Sequence, residues 1–323
     1  MASITGQGLV SSLGIGMAAH RKAWKDGASG LDEPTLFEPS EIDVRCGEVG
    51  DYKIKDYLRT RQNYLDRHTE LACISLREAV ESTTITEPRT CGLVCSSVCP
   101  NSETEGMFMD KLLEKGARFV PPILFPHTYA NTTASLISIE FGLGGFHQNF
   151  TSGALSGISA LICASHALAC GSTENAAVCG TEALSEMSYT VRLGNSIAPP
   201  SEASASVILC ARKPISSCPL ICGTAFAPDL KTAVETSMAN AGISATETDG
   251  ILLTGTDASA IKGLSVFNPF EDVGDLGGTG AVYSVILATE LLSGNHPAAD
   301  HTDVSFCAVA EGGQGGFGCV IVR

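Results

Sequence analysis

The chain has 323 residues, 44% hydrophobic and 17% charged, enough apolar sequence to bury a large core in one big domain or two closely packed halves. Thirty-five acids against 20 bases leave a formal charge of −15, which repels phosphate backbones and anionic membranes and so argues against nucleic-acid or membrane binding. The longest apolar stretches are broken well before bilayer length and Met1-Ala2-Ser3-Ile4-Thr5 carries no basic or long apolar leader, so cytoplasmic residence is expected, with the 13 cysteines as reduced, small hydrophobes.

In chain order, a strand with a glycine turn opens the sequence at Ile4-Thr5-Gly6-Gln7-Gly8. Helical periodicity follows at residues 71–80, 158–170, 230–241 and 282–292. Short β-branched or apolar runs at 91–95, 176–179, 206–210, 250–253, 304–309 and 319–322 read as strands. Strands alternating with Ala-rich helices predict a layered α/β architecture. The last elements repeat the logic of the first, and a break at Arg212-Lys213-Pro214 divides the chain into halves 1–212 and 213–323.

Several motifs have plain readings. Cys91, Cys95 and Cys99 recur every four residues without a paired Cys-x-x-Cys, so no metal site is expected. Gly312 to Gly318 is glycine-rich but lacks the Gly-Lys-Ser/Thr ending of a phosphate loop. His127 and His147 read as hydrogen-bonded loop or boundary residues, and Cys163 and Cys170 as packing residues of the helix at 158–170. No cofactor is expected.

The most informative segment is Ser152-Gly153-Ala154-Leu155-Ser156-Gly157, a tight turn running into an apolar helix. Such a turn lifts one side chain onto a helix N-terminus, where the dipole stabilises a thiolate or alkoxide. Here that side chain is a methyl group.

This segment resembles the nucleophile turn of the β-ketoacyl synthases, and the likeness extends along most of the chain. Ile4 to Gly14, Leu65-Asp66-Arg67, Pro121-Pro122, Phe125-Pro126, Asn131, Gly142-Leu143-Gly144-Gly145 and Gly180-Thr181-Glu182 fall in that family's order and spacing. The resemblance implies a thiolase-like α/β fold, two similar halves in a five-layer α-β-α-β-α sandwich. It also implies an emptied reaction centre. The family's cysteine matches Ala154, its first histidine Thr254, its second histidine Asp275 in a turn one residue shorter than usual, and its lysine Phe270. Claisen condensation needs a thiolate for the acyl chain and imidazole donors at the thioester carbonyl. None of these substitutes supplies either, so no catalytic residue is assigned.

The resemblance therefore implies a non-catalytic subunit, similar to the chain-length factors of type II polyketide systems and closest to those of aryl polyene systems. Its partner is an active ketosynthase in a heterodimer, met through residues 121–131 and the strand before Ala154. The acidic acyl carrier protein docks mainly on that partner. Phe146, Phe150 and Phe317 are the acyl-pocket candidates, with Phe270 beside them. Two alternatives use the same fold: a thioesterase or acyltransferase with Ser152 or Ser156 as nucleophile, and a homodimeric acyl-binding protein. The stretches at 183–204 and 256–268 are compressed relative to the family, which reduces the substrate mouth.

Overall fold

The computed structural model describes residues 1–38, 44–59, 65–85, 87–194, 198–211, 218–243, 251–253, 261, 265–298, 306–311 and 316–323. The first half runs β1 (Ala2–Ser11), β2 (Gly14–Ile15), α1 (Met17–Asp26), α2 (Arg67–Glu81), β3 (Gly92–Ser96), α3 (Ser102–Lys115) and α4 (Thr132–Phe141). It continues through β4 (His147–Phe150), α5 (Ser156–Ala169), β5 (Asn175–Glu182), α6 (Glu186–Leu193) and β6 (Ala203–Cys210). The second half comprises β7 (Leu220–Ala227), α7 (Leu230–Asn240), β8 (Ile251–Leu253), β9 (Ser265–Phe267), α8 (Gly280–Leu292), β10 (Phe306–Glu311) and β11 (Phe317–Val322). The expected break at Arg212, Lys213 and Pro214 lies outside the described residues.

One pairing pattern occurs twice. In the first half β1 and β5 flank β6 antiparallel, and β3 lies parallel to both β5 and β4. In the second, β7 and β10 flank β11 antiparallel, and β8 lies parallel to both β10 and β9. The two sheets join edge to edge where Ala2 and Ser3 pair with Ile221 and Leu220, giving the order β4-β3-β5-β6-β1-β7-β11-β10-β8-β9.

The repetition reaches single residues. α2 starts at Asp66, whose side chain accepts from Thr69 N, and α7 at Asp229, whose side chain accepts from Thr232 N. Both helices lie unusually close to their sheets. A Cβ on Gly8 of β1 would fall inside the Ser75 carbonyl of α2, and one on Gly223 of β7 inside the Ser237 carbonyl of α7. Ser75 Oγ then bonds Ser204 and Ser206 of β6, while Ser237 Oγ donates to Cys319 O of β11.

The helices order the sheets into five layers. α2 and α4 cover the outer face of the first sheet, α5 and α8 lie between the sheets, and α7 covers the second sheet. A helix between two sheets has no solvent face, which is why α8 is apolar all round and buried from Gly280 to Leu291. Its one buried acid, Glu290, is matched by Arg21, with Nε to Oε2 at 2.6 Å and Nη2 to Oε1 at 2.9 Å. The cysteines from Cys46 to Cys222 are free thiols, five of the eleven buried, but Cys319 is disulfide-bonded, a departure from the uniformly reduced set expected.

Burial also creates a pH dependence. His20 is fully buried, its Nδ1 2.9 Å from Gly16 O and its Nε2 2.7 Å from Ser11 Oγ. The carbonyl can only accept, so Nδ1 carries the proton and Nε2 accepts from Ser11. Desolvation lowers the His20 pKa from 6.5 to about 4. Between those values the unfolded chain binds a proton that the folded chain refuses, so stability rises with pH in that window. It is complete above pH 6.5 and falls as the pH drops toward 4, by on the order of 3 kcal/mol. Urea titrations at pH 7 and pH 4.5 should show this loss in the wild type, and a His20→Gln variant should show less of it.

Candidate functional site

The turn that would carry a nucleophile forms as the sequence implies, and its own serine holds it shut. After β4, residues Gly153–Leu155 make one 3-10 turn that enters α5, with Gly153 in the left-handed region at φ 66°. Ser156 is fully buried. Its Oγ accepts from Ser152 N at 2.7 Å, donates to Gly153 O at 2.6 Å and lies 3.2 Å from Ser97 O. That hydroxyl staples the backbone of the turn, its proton and one of its lone pairs both engaged. Ala154 sits half-buried at the first turn of the helix with only a methyl group to present.

Facing this turn is a second, glycine-built one at Gly277–Thr279, which leads into α8. The two interlock by close backbone contact. A Cβ on Gly157 would meet Gly278 O at 2.7 Å, one on Gly278 would meet the Ser97 backbone at 2.9 Å, and one on Gly180 would meet Thr279 Cα at 2.9 Å. These glycines serve packing, which needs no catalytic side chain.

Asp275 opens the second turn and is spent on structure. Its Oδ1 accepts from Gly277 N at 2.8 Å, and its Oδ2 lies 3.8 Å from Arg192 Nη2. Arg192, buried on α6, also donates to the Asp275 carbonyl and to Ser201 O. Asp275 N donates to Pro199 O at 2.8 Å, and Ser201 N donates to Asp275 O at 2.9 Å. The segment before β6 is thus clipped onto the turn, and the carboxylate is engaged by backbone and by Arg192.

Glu182, at the end of β5, ties the two turns together. It is fully buried, accepts from Gly278 N at 3.0 Å and from Ser97 Oγ at 3.2 Å, and also accepts from Val98 N and Cys99 N. The sequence puts Gly180-Thr181-Glu182 near the turn without giving this carboxylate a role; its only signal is an acid closing the strand that follows the apolar run Ala176–Cys179.

The remaining expected residues separate. Phe270 is half-buried against Gly280 and Tyr283. Phe146, Phe150 and Phe270 pack on the central layer that contains α5 and α8. Phe317 packs instead on the outer cluster of α7, with Leu230, Val234 and Ile321. Strand alternation explains this, because its neighbour Gly318 faces Ile158 of α5. Thr254 lies outside the described residues, as does most of the glycine run at 312–316.

Burial, reinforced by Glu182, raises the Cys99 pKa to about 11, and burial also raises that of Cys163, so both are thiols at neutral pH. Cys170 caps the far end of α5 in an exposed position, not in the core as its place in the run suggests. His127 is buried in a 3-10 turn, and His147 lies on β4 with Nε2 3.2 Å from Leu143 O. Among the described residues no group of three or more His, Cys, Asp or Glu is placed to hold a metal ion. None of their helices is long and apolar enough to cross a membrane.

One further surface stands out. β4 ends the sheet, paired only with β3 among the described strands, and α4 packs beside it. On α3, on α4 and on the segment between them, Leu113, Phe119, Ile123, Phe125, Tyr129 and Ile139 are each more than half exposed. Phe125 makes an edge-on pair with Tyr129 at 5.3 Å and a tilted one with Phe108 at 5.8 Å. Exposed apolar residues in this number mark a contact surface, and an open strand edge is a second candidate for one.

No family model matches the chain. Over 149 residues, 44% of this chain and 37% of the relative, it is 27% identical to 3-oxoacyl-[acyl-carrier-protein] synthase 2 of Staphylococcus aureus. Over 189 residues, 56% of this chain and 40% of the relative, it is 23% identical to the chloroplastic 3-oxoacyl-[acyl-carrier-protein] synthase I of Arabidopsis thaliana. The matched region therefore spans well under half of these curated relatives. Among solved structures, the ishigamide ketosynthase/chain length factor superposes with a TM-score of 0.81 at 18% identity, over 100% of this chain and 99% of that one. A ketosynthase in complex with its chain length factor from Xenorhabdus doucetiae superposes at 0.75 with 16% identity, covering 99% and 97%.

Proposed function

We propose that this chain, which carries the thiolase-like fold of the ketosynthases, is a subunit without condensing activity of its own that pairs with an active ketosynthase and shapes its acyl pocket. The observation that carries this reading is Ala154 at the turn entering α5, where acylation needs a nucleophile. Two others support it. Asp275 is bound to backbone and to Arg192, and an ionised carboxylate repels a forming enolate. Ser156, the buried candidate of the serine-hydrolase alternative, has its hydroxyl consumed inside the turn.

The partner is an active ketosynthase rather than a second copy. Two chains of −15 each would oppose self-association across a shared surface, whereas a more basic subunit would be drawn to it. We place the contact at the open edge of β4 together with the apolar surface at residues 121–131, and assign Phe146 and Phe150, which pack on the central layer, to the acyl pocket. Acyl carrier protein then docks mainly on the partner. Within this class we place the chain with polyketide-type chain length factors, those of aryl polyene systems included, acting in the cytoplasm.

Co-expression with the ketosynthase encoded beside it, followed by size exclusion and native mass, should yield a one-to-one heterodimer. Turnover of acyl and malonyl thioesters by the isolated chain would overturn the reading. Ala154→Cys restores only the thiol, so it should accept a mass-tagged acyl group at most and form no β-keto product above background. Condensation by that single variant would contradict the assignments of Thr254 and Asp275.

A further inference from the structure

A run of close polar contacts between buried groups leads from the Gly153–Leu155 turn to the exposed aromatic surface. Ser156 Oγ is 3.2 Å from Ser97 O, and Ser97 Oγ is 3.1 Å from His68 Nε2. The same ring nitrogen lies 3.0 Å from Thr181 O at the end of β5. On the opposite side of the ring, Nδ1 lies 2.8 Å from Thr133 Oγ1 at the start of α4. Thr133 Oγ1 donates to Asn101 Oδ1 at 3.1 Å and lies 3.0 Å from Thr69 Oγ1. Asn101 Nδ2 then donates to Tyr129 O at 2.7 Å. Ser97, His68, Thr133 and Asn101 are all buried, whereas the Tyr129 side chain is 51% exposed.

The segment at the outer end of this run cannot anchor itself by apolar burial. Ile123, Phe125 and Tyr129 point outward, and of its large apolar residues Leu124 is buried. Its backbone is held by polar contacts: Tyr129 O accepts from Asn101 Nδ2 at 2.7 Å and from Thr132 N at 3.0 Å, and Pro126 O accepts from Thr132 Oγ1 at 2.8 Å, with Asn101 itself left-handed at φ 55°. Asn tolerates that conformation better than other non-glycine residues, and both ends of its amide are used here.

We propose that His68, Thr133 and Asn101 are positioning residues that preorganise the Phe125–Tyr129 surface for the ketosynthase partner; this rests on the heterodimer reading above. A surface fixed before contact loses less conformational entropy on binding, so loosening the relay weakens association without removing any residue that touches the partner. Thr133 is the place to cut, because valine has its shape without its hydroxyl and serine keeps the hydroxyl.

The test uses the full chain and the co-expressed ketosynthase. Thr133→Val should keep its far-UV spectrum, raise amide exchange across residues 125–131 in the free chain, and bind the partner about tenfold more weakly. Thr133→Ser should behave within about twofold of wild type on both measurements. If Thr133→Val does not fold, Asn101→Asp replaces the donor to Tyr129 O with an acceptor at nearly constant shape, and the same two changes are expected of it. Unchanged partner affinity in the folded variant overturns the relay. A wild-type chain that binds no ketosynthase overturns the heterodimer reading itself, and the relay's role in partner binding with it.

Discussion

Glu182→Ala is expected to destabilise the fold by about 4 kcal/mol or more, read as a lowered urea midpoint with an unchanged slope. The carboxylate is fully buried and accepts from Gly278 N, Val98 N, Cys99 N and Ser97 Oγ. Truncation leaves these donors in a dry interior, each at roughly 1–3 kcal/mol, and opens a cavity beside them. Glu182→Gln keeps one accepting oxygen and should lose about half as much. A neutral result for Glu182→Ala would mean that water enters and replaces the carboxylate. Glu182 fastens the exit of β3 to the turn before α8, so Gly180, Gly278 and the carboxylate are required by the packing of the two halves whether or not anything is condensed.

That division between scaffold and chemistry also decides what the sequence makes legible. β5, β6, β11, α2, α5, α7 and α8 are readable because each buries a face or is apolar throughout, and burial leaves a period in the residue pattern. α3 is not, since it buries only Ser102 and Thr104 while Met109 and Leu113 lie on its exposed side. Its apolar residues belong to a surface that a single chain does not cover. The joining of the sheets through Ala2 and Ser3 carries no pattern either, being two residues of backbone pairing.

The site divides the same way. The turn that carries Ala154 and the glycine turn that follows Asp275 are both legible in the sequence. The inward staple of Ser156 and the bridging by Glu182 are not, because a sequence gives a hydroxyl or carboxylate without its direction. Phe317 is readable as a buried aromatic but misplaced by proximity: counting in twos from Gly318, which must face α5 closely, sends Phe317 to the α7 side.

Replacing Phe125 and Tyr129 together with aspartate is expected to abolish the heterodimer. Both side chains are 51% exposed in the free chain, so the substitutions leave the core untouched and the thermal midpoint close to wild type. In the complex the same positions would hold two carboxylates against an apolar contact. Aromatic anchors at the centre of an interface contribute about 2–4 kcal/mol each, and an unpaired buried charge adds a further penalty. The dissociation constant should rise by roughly three orders of magnitude or more, separating the subunits during size exclusion. Val266→Asp is the matching control: Val266 is 53% exposed on β9, at the opposite end of the sheet order from β4. It adds negative charge to an already acidic chain, so retained binding there assigns the loss at Phe125 and Tyr129 to the surface itself. Co-elution of the double variant, Phe125→Asp with Tyr129→Asp, and the ketosynthase would move the contact elsewhere on the molecule, and the open edge of β4 would then need another explanation.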